Sequence, residues 1–176
     1  MKNIILTGYM GSGKSTVGKN LSKLNGYAFV DTDEMIERQQ GKTISEIFEQ
    51  EGEDAFRDME TALLNQFIRE GREELVISTG GGMPVREENR RLLRQLGSVV
   101  YLKAAPETIY DRLKGDTKRP LLRCDDPLTR IREMLAKRGP AYEAGALYTV
   151  ETDWMRQAET AQWIVDMVKK QEEGEQ

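Results

Sequence analysis

Gly8-Tyr9-Met10-Gly11-Ser12-Gly13-Lys14-Ser15, entered from the apolar run Ile4-Ile5-Leu6-Thr7, is the stretch that decides the fold. It matches the pattern G-x-x-x-x-G-K-S/T in full. The glycines let the backbone curl until successive N–H groups point at one place, and a helix starting directly afterwards adds its positive end. The result is a cradle for phosphate oxygens. Lys14 is placed to reach the β- and γ-phosphates of a nucleotide, and Ser15 to offer its hydroxyl to Mg²⁺. The flanks agree: Ile4 to Thr7 reads as a buried strand, and Ser15 to Leu24 as a helix with Val17, Leu21 and Leu24 on one face. A chance glycine-rich turn carries no such strand-before, helix-after setting.

The same alternation continues outward. Ala28–Val30, Leu75–Ser78, Val99–Leu102 and Leu147–Val150 read as further short strands. Helical spacing is predicted for Asp33–Gln40, Ile44–Gln50, Glu53–Glu70, Glu87–Leu96, Pro106–Leu113, Pro127–Lys137 and Thr160–Lys170. Apolar strands alternating with helices predict a three-layer α/β/α sandwich around a parallel sheet. Ligands of such sheets bind beyond the carboxyl ends of the strands. The polar clusters Gly8–Ser15, Asp31–Asp33 and Thr79–Gly82 each follow a strand, so all three should meet at one crevice.

Composition removes whole classes of chemistry. With 176 residues, 38% hydrophobic and 32% charged, the chain suits one domain spanning 1–176. A net charge of −4 gives no general attraction for nucleic acid. There is no histidine, which excludes Ser–His–Asp and histidine–metal sites, and the single cysteine, Cys124, excludes an intrachain disulfide or a cysteine metal cluster. No apolar stretch approaches the length of a membrane span, so a cytoplasmic protein without membrane contact is expected.

Five clusters carry a second meaning beside their structural one. Asp31-Thr32-Asp33 puts two carboxylates two residues apart at a strand end, suited to Mg²⁺ and an acceptor hydroxyl, or to capping the next helix. Phe56-Arg57 offers either a guanidinium for an anion or a surface ion pair with neighbouring acids. Thr79-Gly80-Gly81-Gly82 bares the backbone for a small polar ligand. Lys118-Arg119-Pro120-Leu121-Leu122, in the charged segment at about 115–126, reads as a lid over the nucleotide or as a solvated loop. Arg138-Gly139-Pro140-Ala141-Tyr142 ends the predicted helix, where arginine also simply complements the dipole.

Taken together, GYMGSGKST at 8–16, DTD at 31–33, FR at 56–57, STGGG at 78–82, RPLL at 119–122 and RGPAY at 138–142 resemble shikimate kinases along almost the whole chain. The resemblance implies a five-stranded parallel sheet of the P-loop NTPase type and transfer of the ATP γ-phosphate to the 3-hydroxyl of shikimate. It implies ATP contacts from Gly11, Ser12, Gly13, Lys14, Ser15, Thr16, Arg112 and lid Arg119, and Mg²⁺ held by Ser15 and Asp31. Shikimate would meet Asp33, Arg57, Gly80, Gly81, Gly82 and Arg138, the acceptor segment lying within about 33–61 and the later glycines and arginine. Lys14, Asp33 and Arg119 would carry the catalysis. A monomer working with ATP and shikimate alone is expected. Met83-Pro84 after the glycines departs from the family pattern, and no motif marks an adenine contact at Glu151–Asp153. Two other readings stay open on residues alone: a gluconate or nucleotide kinase, and an ATP-binding module without turnover.

Overall fold

The computed structural model describes residues 3–114 and 125–174. Arg119, Cys124 and most of the expected lid lie outside the described residues. Five strands, β1 (Asn3–Thr7), β2 (Ala28–Asp31), β3 (Leu75–Ser78), β4 (Gly97–Lys103) and β5 (Tyr148–Glu151), form one sheet in the order β2-β3-β1-β4-β5. Every pairing is parallel; Ile5, for example, lies opposite Ile77 on one side and Val99 on the other. The central strand β1 is buried from end to end, which is why its sequence is an unbroken apolar run.

Alternate residues face opposite layers. Ile4, Leu6, Val76, Val100 and Leu102 pack against Val17 and Leu21 of helix α1 (Lys14–Asn25) and Ala161 and Ile164 of the last helix, α7 (Gln157–Gly174). Ile5, Ile77 and Val99 pack against the other layer, built from α2 (Thr32–Gln40), α3 (Ile44–Arg69) and α4 (Glu87–Leu96). A third cluster joins Tyr9 and Tyr101 to α5 (Pro106–Leu113) and α6 (Pro127–Gly145). The period of two in the strands and near four in the helices closes the three layers. No described helix is long and apolar enough to cross a membrane.

After β3 the chain passes to the far side of β1 to make β4. The loops leaving the neighbouring strands β1 and β3 therefore part toward opposite faces, opening a crevice above the central strand.

Two details differ from the sequence expectation, and one choice it left open is settled. The strand β2 stops at Asp31 and α2 follows at once, so Asp31 takes the capping role and Asp33 stands in the first turn of the helix. Asp31 causes this: its Oδ1 accepts from the N–H groups of Asp33 and Glu34 at 3.0 and 3.3 Å, an N-cap that starts the helix at once. The helices expected at 44–50 and 53–70 are joined into α3, bent at Gly52, whose φ of 87° suits glycine alone. Arg138–Tyr142 does not end a helix, because α6 runs on through Pro140 to Gly145. Proline there forfeits one backbone bond, but Tyr142 and Gly145 beyond it are both buried, and their packing holds the extra turn.

Candidate active site

The turn after β1 has the shape its glycines allow. Gly11 and Gly13 have φ of 76° and 99°, and a Cβ at Gly8 would stand 2.7 Å from the Leu102 carbonyl. Lys14 Nζ donates to the carbonyls of Gly8 at 2.7 Å and Tyr9 at 3.0 Å, which folds the lysine back along the loop. The loop opens into a cleft of about 790 Å³ whose walls include Gly11, Gly13, Lys14, Ser15 and Thr16 on the nucleotide side. Ser12 is turned away from it. Its side chain is buried beneath Gly8, and its N–H is bonded to the Tyr9 carbonyl.

The opposite wall carries Asp31, Asp33, Thr79, Gly80, Gly81 and Arg138, so the clusters that follow β1, β2 and β3 do share one crevice. The middle residue of Asp31-Thr32-Asp33, unassigned in sequence, holds this wall together. Thr32 is fully buried, and its Oγ1 accepts from the Gly80 N–H at 3.0 Å.

Arg57 is not the surface ion pair that its neighbours suggested. It is buried, donating to Glu60 at 2.7 Å and to the exposed Glu53 at 3.0 Å. Its guanidinium fills the space a side chain at Gly82 would need, so Arg57 and Gly82 form the layer directly behind the cleft wall. Arg138 flanks the next glycine: a Cβ at Gly81 would lie 3.6 Å from its Nη1. Two guanidinium groups therefore lie beside consecutive glycines, Arg138 in the cleft lining and Arg57 behind it.

Glu60 was missed by the sequence reading. Its place three residues after Arg57 could be read as a helical ion pair, but nothing local foretells that it is wholly buried. Among the described residues, Asp33 Oδ1 and Glu60 Oε1 are both buried without a hydrogen-bond partner. Both point at Gly80, where a Cβ would stand 2.5 and 3.2 Å from them, respectively. Burial, then the charge of Asp31, pushes the Asp33 carboxyl up to about 6 against the pull of Lys14 and Arg57. Burial pushes Glu60 up to about 7 although Arg57 opposes it. Both acids hold their protons more tightly folded than unfolded. Their stabilising contribution is thus complete below the ordinary carboxylate range, and is lost as pH rises through about 6 and about 7.

On the far flank Arg112 stitches three segments together. Its Nη1 donates to the carbonyls of Gly11 and Ser12 at 3.2 and 3.3 Å, and its Nη2 to the Thr152 carbonyl at 2.9 Å. Asp153 is turned elsewhere, accepting from the Ala105 N–H at 2.9 Å. Gln157, at the start of α7, completes the rim beside Gly13. Met83 is fully buried in the core and Pro84 is buried with it in a short 3₁₀ turn, so the unusual pair after the glycines supports the wall from below.

A glycine-turned P-loop and a wall carrying acids, bare glycines and Arg138 share one parallel-sheet crevice, the architecture of a P-loop kinase. The sequence model of shikimate kinase matches residues 10–169. A shikimate kinase of Neisseria gonorrhoeae is 44% identical over 97% of this chain and 100% of its own length, and one of Thermodesulfovibrio yellowstonii is 42% identical over 99% of each. A shikimate kinase from Acinetobacter baumannii, solved in complex with shikimate, superposes with a TM-score of 0.88 at 42% identity, covering 97% of this chain and 94% of that one. The chain belongs to the shikimate kinase family, and it is an ATP-dependent kinase.

Proposed function

We propose that the cleft transfers the γ-phosphoryl group of ATP to the 3-hydroxyl of shikimate, giving shikimate 3-phosphate and ADP. The observation that carries this reading is the pair of guanidinium groups, Arg138 beside Gly81 and Arg57 beside Gly82. Two arginines can fork onto one carboxylate with charge-assisted bonds, whereas ATP alone makes no use of them on the acceptor wall. The shikimate bound to the Acinetobacter relative supports the same acceptor.

In this reading Arg57 and Arg138 hold the acid and the open backbone of Gly80, Gly81 and Gly82 lets the ring lie close. Asp33 accepts the proton of the attacking hydroxyl as its oxygen bonds to the γ-phosphorus. The bond from that phosphorus to the β-phosphate oxygen breaks, and ADP leaves. Lys14 and Arg119 offset charge on the phosphates, and Arg112 lies against the base. Ser15 and Asp31 line the cleft, and Asp31 caps α2 through Oδ1 alone, leaving a second hard oxygen donor; the set fits Mg²⁺ with its retained waters. Bound there, the ion would offset negative charge on the phosphates.

A coupled ADP-release assay tests the assignment. Rapid turnover with shikimate and none with gluconate or a nucleoside monophosphate is expected; the reverse pattern would reject it. Because Asp33 must be ionised to take a proton, kcat/KM for the acceptor should climb with pH to about 6 and then level. A flat profile through that range would remove Asp33 as the proton acceptor.

The glycine behind the wall supplies another test. Gly82 has an ordinary φ of −92°, so alanine is allowed by the backbone, but its methyl would collide with the Arg57 guanidinium. Overpacking of this sort costs about 1–3 kcal/mol. Gly82→Ala should raise the shikimate KM roughly 10-fold with little change in nucleotide affinity. An unaltered shikimate KM would mean that Arg57 does not bear on the acceptor.

A further inference from the structure

Helix α6 carries Arg138 and Tyr142 one turn apart on the same face. Tyr142 is fully buried, its ring 5.1 Å from that of Tyr101 at a 35° tilt. Phenylalanine would fill this space equally well, and a buried hydroxyl is a cost unless it is hydrogen-bonded. Its donor capacity is used: the hydroxyl donates to the Gly81 carbonyl at 2.6 Å, and the positive Arg138 guanidinium stands beside it, opposing the rise that burial gives its pKa. Above Gly81, a single Cβ position would lie 3.6 Å from Arg138 Nη1, 3.7 Å from Tyr142 Oη and 3.6 Å from the Gly8 carbonyl. The clamp, the glycine run and the phosphate loop thus converge on one point, and Gly8 is also the carbonyl that receives Lys14 at 2.7 Å.

We propose that Tyr142 is a positioning residue for the acceptor: its hydroxyl, anchored on the Gly81 carbonyl, holds the Arg138 guanidinium at the height and angle at which it meets the carboxylate. The proposal rests on the function assigned above. An arginine reaching into a wide cleft loses about 2 kcal/mol of rotamer freedom when it is fixed. A two-torsion ring packed into the core can hold it beforehand, so less of that cost falls on binding. Arg57 is fixed differently, by Glu60 and Glu53, so the two halves of the clamp have separate supports. Burial raises the Tyr142 hydroxyl to about 12, so it remains a donor throughout any practical assay range.

The test is Tyr142→Phe, which keeps the ring and removes only the oxygen. The shikimate KM should rise about 10-fold, the loss of one hydrogen bond to a charged group, while the ATP KM and kcat stay within about threefold. In an Arg138→Ala background the same change should add almost nothing to the loss in kcat/KM, because the arginine it holds is gone. A hydroxyl that merely stabilises the fold would lower the melting temperature, weaken both substrates together and add its full effect to Arg138→Ala. Either that pattern or an unchanged shikimate KM overturns the proposal. Wild-type turnover separates the two readings. If another carboxylic acid proves to be the acceptor, the shikimate assignment fails while Tyr142 is judged on that acid. If the wild type phosphorylates shikimate and Tyr142→Phe shows no selective KM change, the positioning role fails alone.

Discussion

Lys14→Ala is expected to lower kcat by about 10³-fold while leaving the protein folded. The lysine sits in the mouth of the phosphate loop and bonds two carbonyls of that same loop, Gly8 and Tyr9. Those carbonyls follow the central strand and border the cleft, where water can take the place of the lost ammonium in the empty protein. During transfer, water cannot take that place. Phosphoryl transfer leaves charge spread over the phosphate oxygens, and with few covalent tasks for the protein, positioned cations supply most of the rate. Single-turnover measurement of ADP release, beside a thermal melt, checks both halves. Turnover near the wild-type rate would take Lys14 out of the mechanism, and a collapsed melt would show that its backbone bonds are structural.

Arg138→Ala is expected to raise the shikimate KM about 10²-fold and to leave ATP affinity nearly unchanged, the loss of a charge-assisted bond worth a few kcal/mol. Arg138 lines the cleft directly beside Gly81. It is the cleaner of the two arginines to remove. Truncating Arg57 would also strip the buried Glu60 of its cation, and a carboxyl left alone in the core either takes a proton or destabilises the fold. A variant at 57 therefore mixes binding with stability. Steady-state KM values for both substrates decide the matter for Arg138; equal weakening of ATP and shikimate would contradict a role confined to the acceptor.

Much of the architecture is local information. Five strands and the order of helices follow from apolar periodicity, and the phosphate loop is written in adjacent residues whose glycines have no other use. The boundaries that local signals left open or misplaced share a cause. Asp31 can end a strand or cap a helix, and Pro140 can stop a helix or be carried within one. In each case the choice belongs to partners elsewhere, here the N–H groups of the first turn of α2 and the packing around Tyr142.

The amino-acid order alone determined that this chain builds a parallel sheet with a nucleotide cradle after its first strand, and which side chains were candidates for an acid acceptor. Only the tertiary structure decided which of them meet and what supports them. Thr32 finds the Gly80 N–H across 48 residues, Arg112 finds Thr152 across 40, and Tyr142 finds Gly81 across 61. Periodicity reports which face of an element is apolar, because that depends on near neighbours. A buried polar partner, and the carboxyl that burial turns into a proton-holding group, depends on which distant segments are brought against it, and only the folded sheet supplies that.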